Sequence, residues 1–453
     1  MKNIYHWLLL IVSAHAYACA FVCNAYLWWL SLLFLFPFFL ALNYSSLSFI
    51  HGFVWAFIAV FYAMSGLFFV LMGISGDAWI VGFCLGLLMV LFCSVCGGIV
   101  MMCAHMVIKK YAIVSVGLRY SVYGIALFVF FWFLDSHCLL LVGLPEGCPL
   151  LYPLLPLAHQ PSLLWIVPYS GAMGLLLMVI GITICMMIYH TWRWCLLYSL
   201  FFVVYYELSC VFYVPAERPM DMPRIGAVPC MMRLTSQSAD CVMQMITRRL
   251  KNFLIRYPST EIVVMPESSL NGLTEKDFRC LNHESLGKPI HIIFGSERVT
   301  DQGLYNTAYY LYNGELRYYC DKQHAVVMTE QLGWFLDTPF FRELYFNKAE
   351  QIVTSRDCKQ RIVVGDLGAC VLYICSELFS AKRCLHQGEC DIIIALVNDL
   401  SFSLYMHAEY IHELLLLLAQ YKAIIWRQNI VYISYHYAFF IDTHGICHAL
   451  NNG

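Results

Sequence analysis

The charges of this chain are so unevenly placed that no single water-soluble fold can hold all of it. Residues 1–213 contain nine Asp, Glu, Lys or Arg side chains, and the 240 residues after them contain 47. A soluble domain carries roughly a quarter charged residues, whereas this chain as a whole carries 12% against 61% hydrophobic. The N-terminal half therefore needs a solvent other than water. Crossing a bilayer takes about 20 apolar residues per helix. Seven stretches meet that demand, near residues 5–22, 25–43, 48–74, 79–107, 111–134, 163–189 and 193–213. The first lacks a convincing small-residue cleavage site and leads straight into the next, so it reads as an anchor and not as a signal peptide.

The few charges set an orientation. Lys2, Lys109 with Lys110, and Arg193 fall on one side under this count, and Asp77, Asp135 and Glu146 on the other. The positive-inside rule then places the N-terminus in the cytoplasm and, after seven crossings, everything beyond residue 213 outside. Residues 135–162 are too apolar for a solvated loop and read as an interfacial or re-entrant segment, whose irregular backbone must be covered by protein. Arg119 and Glu207 lie within apolar spans, where ionisable groups are often functional, but both sit near span ends, where a long side chain can instead snorkel to the interface.

Beyond a Pro-rich, charged linker at 214–223, the pattern changes to short β-branched runs alternating with amphipathic stretches. "RIGAV", "EIVVM", "HIIFG", "YNTAYYLY", "LRYYC" and "DIIIAL" predict strands, and residues 237–257 and 405–427 predict helices. "RIVVGDLG" with "ACVLYI", and "NIVYIS" with "YAFFIDTHG", predict hairpins. Strands interleaved with helices indicate a layered α/β domain over 224–453.

Several function classes are excluded. A net charge of −2 without a basic stripe argues against nucleic acid. No Gly-rich phosphate loop is present, and no cofactor is expected. The 21 cysteines are odd in number and irregularly spaced, and eleven lie in the apolar half. There a free Cys acts as a small hydrophobe, so Cys93-Ser94-Val95-Cys96 reads as membrane filler. The other ten would face an oxidising compartment, where some could pair. His444, Cys447 and His448 crowd a terminal turn without a fourth ligand, and no metal site is expected.

Three reactive side chains each follow the end of a predicted strand: Glu267 after "EIVVMP", Lys322 after "LRYYCD", and Cys375 after "ACVLYI". Taken singly, a buried Cys, a helix-capping Glu and a surface Lys are ordinary. Together they make chemical sense. A thiol becomes a strong nucleophile when a nearby base removes its proton. A carboxylate can take that proton and return it to a leaving group, and an ammonium can stabilise the oxyanion between those steps.

The blocks "VVMPESSLNG", "YYCDKQHAVVMTE" and "LYICSELFS" resemble the three catalytic blocks of the nitrilase (carbon-nitrogen hydrolase) superfamily, in the order Glu, Lys, Cys. Within it, the chain resembles the apolipoprotein N-acyltransferase family. The stretches "HGFVWAFIAVFYAMSG" and "PLAHQPSLLWIVPYSGAMGLLLMVI" of the membrane half share that likeness. The resemblance implies a multi-span α-helical membrane domain over 1–213, followed by a nitrilase-type α-β-β-α sandwich in a bacterial inner membrane, facing the periplasm. It implies that Glu267 is the general base, that Lys322 stabilises the oxyanion, and that Cys375 accepts an acyl chain from a phospholipid and passes it to the N-terminal amine of a lipoprotein. Glu330 and Glu377 would support the site by orienting Lys322 and the acyl intermediate.

The periphery departs from the family. "VPCMMR" stands for a Gln-Gly-Asn type stretch, Ser376 for a Tyr, and "NDLSFS" keeps Asn398, Asp399 and Phe402 without the usual Trp. Ile425 stands where an acidic residue is expected, and no span follows the last hairpin. Those departures suit two alternatives: a nitrilase-like membrane amidase or acyltransferase of a conjugative transfer system with another substrate, and a catalytically silent scaffold. The orientation has a direct check. A phosphatase fused after Gly453 is expected to be active outside the cytoplasm, and an inactive fusion that is well expressed would overturn the odd span count.

Overall fold

The computed structural model describes residues 2–22, 24–44, 46–65, 79–137, 151–164, 166–189, 204, 224–229, 232–233, 238–325, 330, 338–339, 352–355, 359, 361–379, 390–400 and 408–452. The chain divides into two compact units, Met1–Val214 with Tyr405–Ile425, and Pro215–Leu404 with Trp426–Gly453. The segment Tyr405–Ile425 thus groups with the N-terminal unit, although it lies within the C-terminal half of the sequence.

The first unit is helical. Its long helices are α1 (Lys2–Val22), α2 (Phe49–Ala63), α3 (Trp79–Lys110), α4 (Val116–His137) and α5 (Val167–Tyr189). Four of these, α1, α3, α4 and α5, are long and apolar enough to cross a membrane. On α1 the buried positions His6, Leu10, Ser13, Ala14, Tyr17 and Phe21 recur at helical spacing. Its other face exposes Ile4, Tyr5, Leu8, Ile11 and Val12 where a soluble helix would carry charge. An apolar outer surface of that kind fits lipid. Inside, Tyr17, Phe34, Trp55 and Phe131 form an aromatic cluster. Trp55 donates to Ser13 Oγ at 3.0 Å, and that hydroxyl donates to the Phe34 carbonyl at 2.7 Å. A Cβ on Gly52 of α2 would lie 2.5 Å from the Gly97 carbonyl of α3, so small residues let these two backbones approach.

Two expected spans take a different form. Residues 25–43 are not one helix but three short ones, Asn24–Leu27, Leu30–Leu33 and Leu35–Ala41. Pro37 contributes to the second break, because it has no N–H for the carbonyl four residues back. Of 48–74 the described helix is α2, which at 15 residues is short for a crossing. The expected span at 193–213, the linker at 214–223 and Glu207 lie outside the described residues, apart from Val204. The apolar stretch before α5 forms two 3-10 turns, Leu155–His159 and Pro161–Leu164, with Leu155, Leu157 and Leu164 buried. Tyr17 donates to the Leu151 carbonyl at 2.6 Å and covers part of that irregular backbone.

The second unit is built on two sheets. In the first, β1 (Ile225–Ala227), β2 (Ile262–Val264) and β3 (His291–Thr300) run parallel. Two antiparallel strands follow, β4 (Gly303–Tyr312) and β5 (Glu315–Asp321), and β6 (Ile352–Val353) pairs β4. In the second sheet β7 (Ile362–Val363) is antiparallel to β8 (Ala369–Ile374). Then β9 (Ile392–Leu396) and β10 (Asn429–Ile433) run parallel to β8, before β11 (Ala438–Ile441) and β12 (Cys447–Ala449) turn back antiparallel. The last strand, β13 (Asn451–Asn452), leaves this sheet and pairs β1, which ties the chain's end to the first sheet. The sheets meet where β4 and β8 pack together.

Helix α6 (Ala239–Arg256) covers one face of the first sheet. Val242, Met243, Ile246, Leu250, Phe253 and Leu254 lie at helical spacing and bury against Val263, Ile292, Phe294 and Leu311. Each such side chain removed from water contributes about 1.5–3 kcal/mol. Ser238 caps the helix by accepting from the Cys241 N–H at 3.3 Å. The second long helix of the C-terminal half, α7 (Ala408–Trp426), follows β9 in sequence.

One contact in this unit reaches the site. A Cβ on Gly295 of β3 would lie 2.6 Å from the Glu267 Cα, backbone that cannot swing aside. Gly295→Ala is therefore expected to cost about 1–3 kcal/mol through overpacking and to displace Glu267. Thermal unfolding of the purified variant, beside its Cys375 reactivity, measures both effects.

Candidate active site

Each of the three strand-end residues sits where the backbone is pinned on both sides. After β2, Met265 N–H donates to the Ile293 carbonyl at 2.8 Å, Gly295 N–H to the Pro266 carbonyl at 3.2 Å, and Ser269 N–H to the Gly295 carbonyl at 2.9 Å. Those bonds to β3 present Glu267 from a rigid loop, with Ser268 at φ 60°. After β5, Lys322 N–H donates to the Asn306 carbonyl at 2.8 Å, and its own carbonyl accepts from Ser355 N–H at 2.8 Å. After β8, Cys375 adopts φ 43° between the strand and the short helix Ser376–Phe379. Its N–H donates to the Leu396 carbonyl at 2.8 Å, and its carbonyl accepts from Leu378 N–H at 3.0 Å. A non-glycine residue in the left-handed region costs about 1–3 kcal/mol and persists only where its surroundings hold it.

The side chains converge. Lys322 is completely buried, with Nζ 3.0 Å from Glu267 Oε1 and 2.8 Å from Glu330 Oε1. Asn306 Nδ2 donates to both carboxylates, at 3.1 Å in the case of Glu330. The other oxygen of Glu267 accepts from the Asn398 N–H at 3.1 Å, and its backbone carbonyl accepts from the Tyr435 hydroxyl at 3.0 Å. The Cys375 thiol lies beside the Glu267 carboxylate, close enough for each to affect the other's protonation. Glu267, Lys322 and Cys375 are thus brought together, and Glu330 joins them through Lys322.

Burial pushes the Cys375 thiol well above the usual range, and the Glu267 charge adds to that, so the resting sulfur holds its proton. Burial also raises the Glu267 carboxyl, with the Lys322 ammonium pulling against it. A raised carboxyl is a better proton acceptor. For Lys322 burial opposes the charge, but Glu267 and Glu330 outweigh it and hold the ammonium above its ordinary value. Lys322 is therefore a fixed cation and not a base. The arrangement can move a proton from sulfur to Glu267 while a positive charge waits beside the carbon that sulfur would attack.

Glu377 has a different position from Glu330. It makes no contact with Lys322 among the bonds described; its Oε1 accepts from Gln323 N–H at 2.5 Å and its Oε2 from Ile374 N–H at 2.6 Å. Lys359 completes its surroundings, with Nζ 2.9 Å from Oε2. Asn306 and Lys359 are the residues the sequence reading missed. Asn306 had one signal, a polar side chain in the apolar run "YNTAYYLY"; Lys359 in "RDCKQR" had none. Asp399 accepts from the Tyr435 N–H at 2.9 Å, while Phe402 lies outside the described residues. Among the described residues, Cys241, Cys280, Cys320, Cys370, Cys375, Cys390 and Cys447 are not joined in disulfides.

No family model and no curated protein matches the sequence. Solved structures to which the chain is similar include a carbon-nitrogen hydrolase from Helicobacter pylori G27, at TM-score 0.35 and 12% identity over 50% of this chain and 86% of that one. Another is Saccharomyces cerevisiae Nit3, a member of branch 10 of the nitrilase superfamily, at TM-score 0.32 and 14% identity over 49% and 83%. A third is XC1258 from Xanthomonas campestris, a CN-hydrolase superfamily protein, at TM-score 0.31 and 13% identity over 49% and 85%.

The proton path has a measurable consequence. Glu267→Gln keeps the shape and loses the base, so alkylation of Cys375 by iodoacetamide is expected to slow by about 10²–10⁴-fold. Because Glu267 must be ionised to act and its carboxyl is raised, the acidic limb of the wild-type profile is expected above the ordinary glutamate value of about 4.3. That limb should vanish in the variant. Peptide-level mass spectrometry across pH measures both, and an unchanged rate in Glu267→Gln would remove Glu267 from the role of base.

Proposed function

We propose that the protein is a membrane-bound acyltransferase of the carbon-nitrogen hydrolase type, which moves a fatty acyl chain from a phospholipid to an amine through a thioester on Cys375. The observation that carries this reading is the Glu267 carboxylate paired with the buried Lys322 ammonium at 3.0 Å and placed beside the Cys375 thiol. The thiol gives its proton to Glu267 as sulfur attacks the ester carbonyl, and Lys322 faces the oxyanion. The C–O bond then breaks, Glu267 returns the proton to the departing alkoxide, and the thioester remains.

In the second half an amine attacks the thioester, Glu267 takes a proton from its nitrogen, and the C–S bond breaks. The proton returns to sulfur and the amide leaves. An acceptor amine at the N-terminus of a lipoprotein fits the resemblance of the three sequence blocks, and it would be presented from the same membrane as the donor. Apolar spans in the same chain favour substrates with lipid tails, which do not cross water cheaply. This reading places the catalytic unit on the periplasmic side of a bacterial inner membrane.

The test is direct. Protein incubated with phospholipid and no acceptor should carry a mass increment of one acyl chain on Cys375, absent from Cys375→Ala and released by hydroxylamine. The mass identifies the donor chain. An unmodified Cys375 in folded, lipid-supplied protein would count against acyl transfer. Restored growth of cells depleted of their lipoprotein N-acyltransferase would support the lipoprotein acceptor, and failure despite good expression would favour another amine.

A further inference from the structure

Lys359 is a buried cation that the proposed triad leaves without a part in the chemistry. The Lys359 side chain is 1% exposed, and Nζ lies 2.9 Å from Glu377 Oε2, on a side chain that is 0% exposed. A lysine is seldom buried so completely unless it is paired. It also lies 3.5 Å from the Cys320 sulfur and 3.5 Å from the Asp321 carbonyl. Glu377 offers it a carboxylate at ion-pair distance.

Where Glu377 points gives Lys359 its significance. One carboxylate oxygen accepts from Gln323 N–H, the residue after Lys322, and the other accepts from Ile374 N–H, the residue before Cys375. Gln323 follows β5 of the first sheet, and Ile374 ends β8 of the second. A single carboxylate therefore ties together the two backbones that carry the ammonium and the thiol. Ser376 adds a parallel tie, its hydroxyl donating to the His324 carbonyl. Two backbone N–H groups do not by themselves balance a fully buried negative charge. The ammonium of Lys359 does.

We propose that Lys359 is a positioning residue of this site: by balancing the buried Glu377 carboxylate, it fixes the spacing between the Lys322 and Cys375 backbones. It touches neither substrate nor reacting atoms and acts through Glu377. The inference rests on the triad reading above and adds to it a residue outside the three catalytic blocks. A displacement near 1 Å between reacting groups can cost on the order of a hundred-fold in rate. Loss of the ammonium is therefore expected to reach the chemistry without altering any group that performs it.

The test compares Lys359→Met, Lys359→Arg, Glu377→Gln and the Lys359→Met/Glu377→Gln double variant in the full-length, detergent-solubilised protein. Iodoacetamide alkylation of Cys375 is followed peptide by peptide, beside thermal unfolding. Lys359→Met is expected to slow Cys375 alkylation roughly ten- to hundred-fold. Lys359→Arg should recover most of the rate, and the double variant should be no slower than Glu377→Gln alone. A folded Lys359→Met protein with the wild-type rate would reduce Lys359 to a structural residue and overturn the proposal. So would losses that multiply in the double variant, because the two residues would then act separately. If Lys359→Met does not fold, the double variant, which removes both buried charges, still decides between equal and multiplied losses against Glu377→Gln. Failure of the triad reading has another signature: Cys375 alkylation unaffected by Glu267→Gln, which would bring down the triad and this inference together.

Discussion

The C-terminal unit depends on one buried ammonium shared by two carboxylates. Lys322 has no exposed surface, and its charge would be intolerable there without Glu267 and Glu330 at 3.0 and 2.8 Å. Removing one member of such a cluster leaves an uncompensated charge, at a cost of about 3–5 kcal/mol. The cluster is consequently a demand on the fold as well as a product of it. Asn306 donates to both carboxylates and so links them beside the Lys322 nitrogen. With Lys322 held as a cation, Glu267 is left to exchange protons with sulfur.

That electrostatic arrangement explains why the thiol is protonated at rest, although a thiolate is the better nucleophile. A thiolate beside the Glu267 carboxylate in a dry site would place two negative charges together, and burial alone already disfavours it. The site therefore suits proton transfer during attack more than a standing thiolate. The left-handed backbone at Cys375 belongs to the same economy. It stores strain to aim the sulfur, and the bonds to Leu396 and Leu378 keep it from relaxing.

Much of this was legible in the sequence, and the reason is periodicity. β-branched runs marked β2, β3, β8, β9 and β10, and each reactive residue followed the last apolar position of its run. The hairpin of β7 with β8 and that of β10 with β11 were equally plain, because Gly and polar turn residues separated their strands. In the N-terminal half, composition identified apolar stretches but not their backbone. Hydropathy is blind to the hydrogen-bond break at Pro37, so residues 25–43 read as one helix. Helix α7 was legible as a helix, yet not as part of the first unit, because packing partners leave no periodic trace. Lys359 was illegible for a related cause. Its meaning lies in Glu377, a partner 18 positions away, and a lysine among charged neighbours looks solvated until the fold buries it.

The reactive residues also come from different sheets. Glu267 and Lys322 extend from β2 and β5 of the first sheet, and Cys375 extends from β8 of the second. No single strand or hairpin holds the site, so it exists only when the two sheets are closed on each other. Residues at that interface then help set the distance between Glu267 and Cys375 without approaching either, and close-packed interiors transmit a shift there instead of absorbing it. The Glu377 tie lies at the site's end of this interface, one residue from Lys322 and one from Cys375. A chain could drift widely in its periphery and keep the chemistry, provided that this closure and its paired charges survived. The surroundings at Ser376 and Asn398 could then differ without disturbing the contact between Cys375 and Glu267.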